Sequence, residues 1–349
     1  MVAEILAPLL AIEPDALSAA MRLARAGQGY EAFSIPKVDP SKTRTIHAPV
    51  PLLKEVQRAI LSVLEPLPLP TCVHGFRRGR SIVTAARAHL RARALLNVDL
   101  IDFFHSVEAF KVRRALLSSL IPRWVRETGE LERRDIPAVL EALVTLTTFD
   151  QGHEGAIQRV LPQGAPTSPV LANLAARPLD RAILALIRDL PGELVYTRYA
   201  DDLTISSPYE IDRSVLGEVL KAITRSGFRP HPAKIVLAST LKGSPHFRQR
   251  LTVTGLVVDP VAKTLRIPRD RLERFRAKMH QASHQPVLEE AVLEQIEGMV
   301  SFVLMVYGQL PPALEKAYAR FTEAHGLKAI EPGRSRKIAR RKAAQAESY

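Results

Sequence analysis

Two adjacent aspartates, Asp201 and Asp202, fall between two β-prone runs, Glu193–Arg198 and Leu203–Ser207. So short an acidic connection between such runs is the signature of a hairpin, with paired negative charge at its tip. Upstream, the apolar run Ala94–Asp99 (ALLNVD) ends on an acid, as a buried strand with a functional side chain at its end would. Neighbouring like charges repel, and they stay ionised together most easily when a divalent cation binds them. If the strand and the hairpin share one sheet, Asp99, Asp201 and Asp202 meet. Mg²⁺ takes hard oxygen ligands, usually one or two carboxylates completed by substrate phosphates. Two such ions about 3.5–4 Å apart activate a hydroxyl and stabilise a leaving pyrophosphate. Asp-Asp pairs also occur on solvated turns, and Asp102 offers an alternative to Asp99.

The rest of the pattern is a mixed α+β body followed by a helical C-terminal part. Helices are expected near Asp15–Ala26, Leu52–Leu64, Arg113–Ser119, Ile136–Thr148 and Val215–Arg225. Ser168-Pro169 reads as an N-cap and first-turn pair opening one helix to about Arg188. Phe33–Pro49 forms two extended segments around a turn, and Lys234–Ala238, Leu251–Val258 and Thr264–Ile267 read as single strands. From Arg269 to about His325 the chain is helical, broken at Pro286 and Pro311-Pro312.

Charge narrows the partner. The net charge is +13, and the stretch from Lys328 to Tyr349 carries seven basic and two acidic residues, or +5, which leaves +8 for the body. A basic body points to a polyanion. The tail, with Arg334–Lys342 at its centre, is either a solvated end or a further phosphate contact. One cysteine, Cys72, excludes an intramolecular disulfide framework and a cysteine zinc site, and suits a reducing cytoplasm. The absence of a long apolar run speaks against a membrane partner.

Five blocks in fixed order resemble a bacterial reverse transcriptase: IPK–RTI–AP (Ile35–Pro49), HGFRRGRSI (His74–Ile82), NVDLIDFF (Asn97–Phe104), LPQGAPTSPVLANL (Leu161–Leu174) and YTRYADDLTIS (Tyr196–Ser206). The pattern continues through Gly227-Phe228, Ala233–Ile235 and Val253–Asp259, so the resemblance covers roughly residues 30–310. Within that family the chain looks most like the retron subgroup. Val253-Thr254-Gly255 matches a subgroup motif associated with recognition of its own structured RNA. The subgroup's Asn-Ala-x-x-His falls on Ala85–His89, where Ala86 and His89 fit and Ala85 replaces the asparagine.

The resemblance implies a right-hand polymerase fold of fingers, an antiparallel-sheet palm and a helical thumb. The expected division is fingers within 1–93, palm with interleaved finger segments over 94–259, thumb over 260–327 and a basic tail over 328–349. It implies two Mg²⁺ ions on Asp99, Asp201 and Asp202, with the Leu100 carbonyl as a further ligand, and a primer 3′-hydroxyl attacking a deoxynucleoside triphosphate. Lys37 and Arg44 would hold the triphosphate, for which the bidentate guanidinium is well suited. Phe104 occupies the position of the aromatic gate that excludes a ribose 2′-hydroxyl, with Phe103 as pocket wall or core. Gln163 and Gly164 would contact the nucleotide and template base, and Lys234 the leaving pyrophosphate. Arg77, Arg78 and Arg80 are candidates for the template backbone, and His89, Val253, Thr254 and Gly255 for RNA recognition. The partners implied are a cognate structured noncoding RNA, its DNA product, deoxynucleotides and an effector protein, in antiphage defence. About 90 residues follow Asp259, too few for a thumb and an RNase H domain together. Rival readings are an abortive-infection or diversity-generating reverse transcriptase, and an RNA-binding scaffold without catalysis.

Overall fold

A computed structural model describes residues 2–36, 41, 43–127, 129, 131–152, 157–248 and 250–328. Lys37 and the basic tail after Lys328 lie outside the described residues. The fold mixes helices with small antiparallel sheets. The first half runs α1 (Val2–Leu10), α2 (Pro14–Arg25), β1 (Tyr30–Pro36), β2 (Thr43–Pro49), α3 (Pro51–Leu64), α4 (Ile82–Arg87), β3 (Ala94–Asp99), α5 (Ala109–Glu127), α6 (Ile136–Thr147), β4 (Phe149–Asp150) and β5 (Arg159–Val160). The second continues α7 (Ser168–Ala175), α8 (Arg177–Asp189), β6 (Val195–Tyr199), β7 (Asp202–Ser207), α9 (Arg213–Arg225), β8 (Val236–Ser239), β9 (Leu251–Val253), β10 (Leu256–Asp259) and β11 (Thr264–Arg266). Helices α10 (Arg269–Ser283), α11 (Glu290–Tyr307) and α12 (Pro312–Ala324) complete it.

The chain divides into two compact units. One comprises the residues up to Ser81, Leu95–Ser206 and Glu210–Leu237; the other comprises Ile82–Ala94, Ser207–Tyr209 and the chain from Ala238 onward. The stretch 94–259 therefore contributes to both.

The four-stranded sheet, most of whose residues belong to the first unit, has the order β6-β7-β3-β8. Strand β3 is central because most of it is apolar: Ala94, Leu95, Leu96 and Val98 are all buried. Its neighbours run antiparallel to it. Leu100 N–H donates to Asp201 O at one end (2.9 Å), and Arg93 N–H donates to Ser207 O at the other (2.8 Å). Helices α2, α3, α5, α6 and α7 pack around one another, each through an apolar stripe such as Leu17, Ala20 and Met21 of α2. Helix α9 is capped by Asp212, whose Oδ1 accepts from Ser214 N–H at 2.7 Å.

In the second unit β9, β10 and β11 form a three-stranded sheet against which α4 packs. The C-terminal helices are joined mainly through α10 with α12 and α11. Helix α11 buries Ile296, Val300 and Val303 along one face and ends on Gly308 in the left-handed conformation.

Two sequence expectations need correction. The single helix expected from Ser168 to Arg188 is two, because Pro178 has no N–H to continue the α7 ladder; the chain turns at Ala176. The single strand Leu251–Val258 is a hairpin, with Val253 paired to Leu256 across Thr254-Gly255. Helices α1 and α4 had no counterpart in the expected elements.

Candidate active site

The β6–β7 hairpin pairs Tyr199 with Asp202, leaving Ala200 and Asp201 as its two-residue turn. Ala200 takes φ of 57°, a left-handed conformation that costs a residue with a Cβ. The surroundings hold it there. Arg198, fully buried, donates from Nη1 to Ala200 O (3.2 Å) and to Asn173 Oδ1 (2.9 Å). Its Nε and Nη2 donate to the two oxygens of buried Asp180, each at 2.8 Å, a bidentate ion pair. Tyr196 donates its hydroxyl to the same carboxylate (3.0 Å). Asn173 in turn donates to Gly75 O (2.9 Å), and His74 N–H donates to Arg198 O (2.9 Å). A Cβ at Gly75 would lie 2.5 Å from Ala200 N, so only glycine permits this approach to the back of the turn.

Asp99 ends β3 beside this turn. Its backbone is fixed by Leu100 N–H to Asp201 O (2.9 Å) and by His231 N–H to Asp99 O (2.7 Å). Leu100 faces Pro230 in an antiparallel bridge whose two hydrogen bonds use the carbonyls of Asp99 and Arg229, not that of Leu100. Lys234 Nζ donates to both oxygens of Asp99 at 2.9 Å.

The electrostatics follow from the arrangement. Burial raises the Asp201 pKa and the Asp99 charge adds to it, while its own backbone hydrogen bond, Lys234 and Arg44 oppose the rise. Asp202 is pushed up to about 6, first by burial and then by Asp201 and Asp99, with Lys234 opposing. Asp99 thus belongs to the field of the pair. Asp102 is exposed, lies 3.9 Å from Arg229, and acts on His105. Among the described residues no group of three or more His, Cys, Asp or Glu side chains is arranged to hold a metal ion. The donor chemistry still suits one: clustered carboxylates held above their ordinary proton affinity gain from a hard divalent cation, and Lys234 supplies positive charge to Asp99 in its stead.

Other sequence-selected residues lie in the same unit. Arg44 lies exposed on β2, within reach of Asp201 electrostatically. Gln163 O accepts from His47 N–H (2.7 Å), and a Cβ at Gly164 would meet Ile46 at 2.7 Å, so this loop is seated on β2. Phe103 is buried against Phe228 (centroids 5.9 Å), and half-buried Phe104 stacks at a tilt on Phe103 (5.7 Å). Arg77 spends its guanidinium on Pro70 O (2.7 Å), whereas Arg78 and Arg80 are exposed. Burial, Arg80 and Arg77 together depress the His74 pKa to about 4.

The remaining residues lie in the second unit. His89 is buried just after α4. Thr254 and Gly255 form the β9–β10 turn at φ of 49° and 79°, and buried Val253 precedes them. Thr254 donates its hydroxyl to Ile82 O (3.0 Å) at the start of α4. The structure thus brings the Ala85–His89 segment and the Val253–Gly255 turn, remote in sequence, into one compact unit.

Residues 35–266 match the family model described as reverse transcriptase (RNA-dependent DNA polymerase). The chain belongs to the reverse transcriptase family. Its relatives include the retron Mx162 reverse transcriptase of Myxococcus xanthus, 37% identical over 87% of this chain and 62% of that protein. The retron Mx65 reverse transcriptase of the same organism is 34% identical over 79% and 61% of the two chains. The retron Ec86 reverse transcriptase of Escherichia coli is 30% identical over 79% and 76%. The chain therefore spans about three fifths of the length of the two Myxococcus relatives. Among the described residues no helix is long and apolar enough to cross a membrane.

Proposed function

We propose that the protein is a retron-type RNA-directed DNA polymerase that copies part of a cognate structured noncoding RNA into single-stranded DNA. One observation carries the reading: a reverse transcriptase chain gathers Asp99, Asp201 and Asp202 at one end of one sheet, with Lys234 and Arg44 in the same field. In this reading β1 and β2 belong to the fingers, the β6-β7-β3-β8 sheet is the palm, and α10–α12 form the thumb.

Asp99, Asp201 and Asp202, with the carbonyl of Leu100, would hold two Mg²⁺ ions. When bound, the ions supply charge neutralisation and lower the pKa of an attacking hydroxyl. The chain's own residues do the rest. Arg44, with Lys37, neutralises the triphosphate. Lys234, whose ammonium lies on the Asp99 carboxylate, would supply positive charge to the leaving pyrophosphate. Phe104 and Phe103 shape the sugar pocket, and Gln163 and Gly164 present backbone to the nascent pair. Exposed Arg78 and Arg80 face the template, with Arg77 bonded to Pro70 O in the same block, while His89, Val253, Thr254 and Gly255 serve recognition of the cognate RNA. Priming from an RNA 2′-hydroxyl, cytoplasmic action and an antiphage role with an effector partner complete the reading.

Asp201→Asn tests it. The variant should lose deoxynucleotide incorporation by at least about a hundredfold, while retaining RNA binding. Incorporation at the wild-type rate would overturn the assignment.

A further inference from the structure

Phe76 is 44% exposed and sits at φ of 52°, a left-handed conformation uncommon for an aromatic residue. Backbone strain of this kind persists only where the surroundings enforce it. Here they do: Gly75 is pressed against Ala200 N, its carbonyl is held by Asn173, and His74 N–H is bonded to Arg198 O. The ring's place is therefore set by the backbone rather than by burial. It lies 5.9 Å from the Phe104 ring and 6.4 Å from the Tyr199 ring. Phe104 therefore has two ring neighbours, buried Phe103 and exposed Phe76, and Phe103 in turn meets Phe228.

Resting on the reading of Phe104 as the sugar gate, we propose that Phe76 is a positioning residue for that gate and a second determinant of sugar specificity. A half-buried ring held by Phe103 alone could yield to a 2′-hydroxyl. The Phe76 ring closes that escape, and it is tied by the same backbone clamp to the turn that carries Asp201. The gate and the carboxylates are thus held in fixed relation.

The test is single-nucleotide incorporation by the full chain on a primed RNA template, comparing kcat/KM for a deoxynucleotide and the matching ribonucleotide. Because Phe76 is 44% exposed, Phe76→Ala removes little packing beyond its contacts with the Phe104 and Tyr199 rings; a melting curve verifies the fold. Phe76→Ala should lower the deoxy-to-ribo preference about threefold to tenfold, the effect of one aromatic contact. Phe76→Tyr, which keeps the ring, should retain the wild-type preference. An equal loss for both nucleotides, as for a residue that only binds template, overturns the proposal, and so does an unchanged preference. A wild-type chain that incorporates neither nucleotide overturns the polymerase reading itself, and this inference with it.

Discussion

Two hairpin turns of this molecule meet the same backbone difficulty with different means. Ala200 in the first unit and Thr254 in the second both sit at positive φ without being glycine. The Ala200 turn is held by a buried guanidinium that is itself neutralised by Asp180 and fixed by Asn173. The Thr254 turn is held by a hydroxyl on Ile82 O. The first must keep clustered carboxylates in place against their own repulsion, and a buried ion pair, costly to disturb, supplies the rigidity. The second carries no charge, and one neutral hydrogen bond suffices for its shape.

The contrast can be broken at its strongest point first. Asp180→Ala leaves Arg198 buried without its counter-ion and should cost about 3–5 kcal/mol in denaturant unfolding. A loss below about 1 kcal/mol would mean that the ion pair contributes nothing special to the turn.

A smaller effect, of opposite sign, is expected at Asp202. Its folded pKa is raised to about 6, so the folded state binds more protons than the unfolded one between the unfolded value of 3.8 and about 6. Stability associated with the neutral carboxyl is full below the unfolded value of 3.8 and is lost as pH rises through about 6. Asp202→Asn should therefore stabilise the chelator-treated protein by roughly 1–3 kcal/mol above about pH 7, with the gain vanishing near pH 4. A variant less stable than wild type at neutral pH would show that the carboxylate is not under strain.

The smallest effect belongs to the second turn. Thr254→Val removes the hydroxyl and should cost about 1 kcal/mol, whereas Thr254→Ser should cost less. Equal stability for the two variants would remove the Ile82 bond from the account.

The same contrast marks what the sequence could reveal. The Asp201-Asp202 turn and the acid at the end of β3 were legible because both lie in local patterns, alternating or continuous apolar runs that stop at a charge. Arg198, Asp180, Asn173 and Gly75 were not, since the network joins four separate segments and no local pattern pairs Asp180 with Arg198 across 18 positions. Phe76 stood in a recognised block, but its role depends on a ring 28 positions away, which no periodicity records. The β9–β10 hairpin was hidden because the apolar positions of LTVTGLVVD continue through the turn. Helix α1 was obscured by Pro8 inside it.

The strand order has a consequence for how the protein is made. Strand β3 leaves the ribosome first, yet its two neighbours are β7 and β8, the nearer beginning about 100 residues later. At about 5–20 residues per second, that is an interval of roughly 5–20 s in which an apolar segment has two unpaired edges. Long-range pairing of this kind folds slowly and exposes sticky intermediates. The strand that carries Asp99 thus waits unpaired while the next hundred residues are made, and slowed translation between residues 100 and 200 should lower the yield of folded protein.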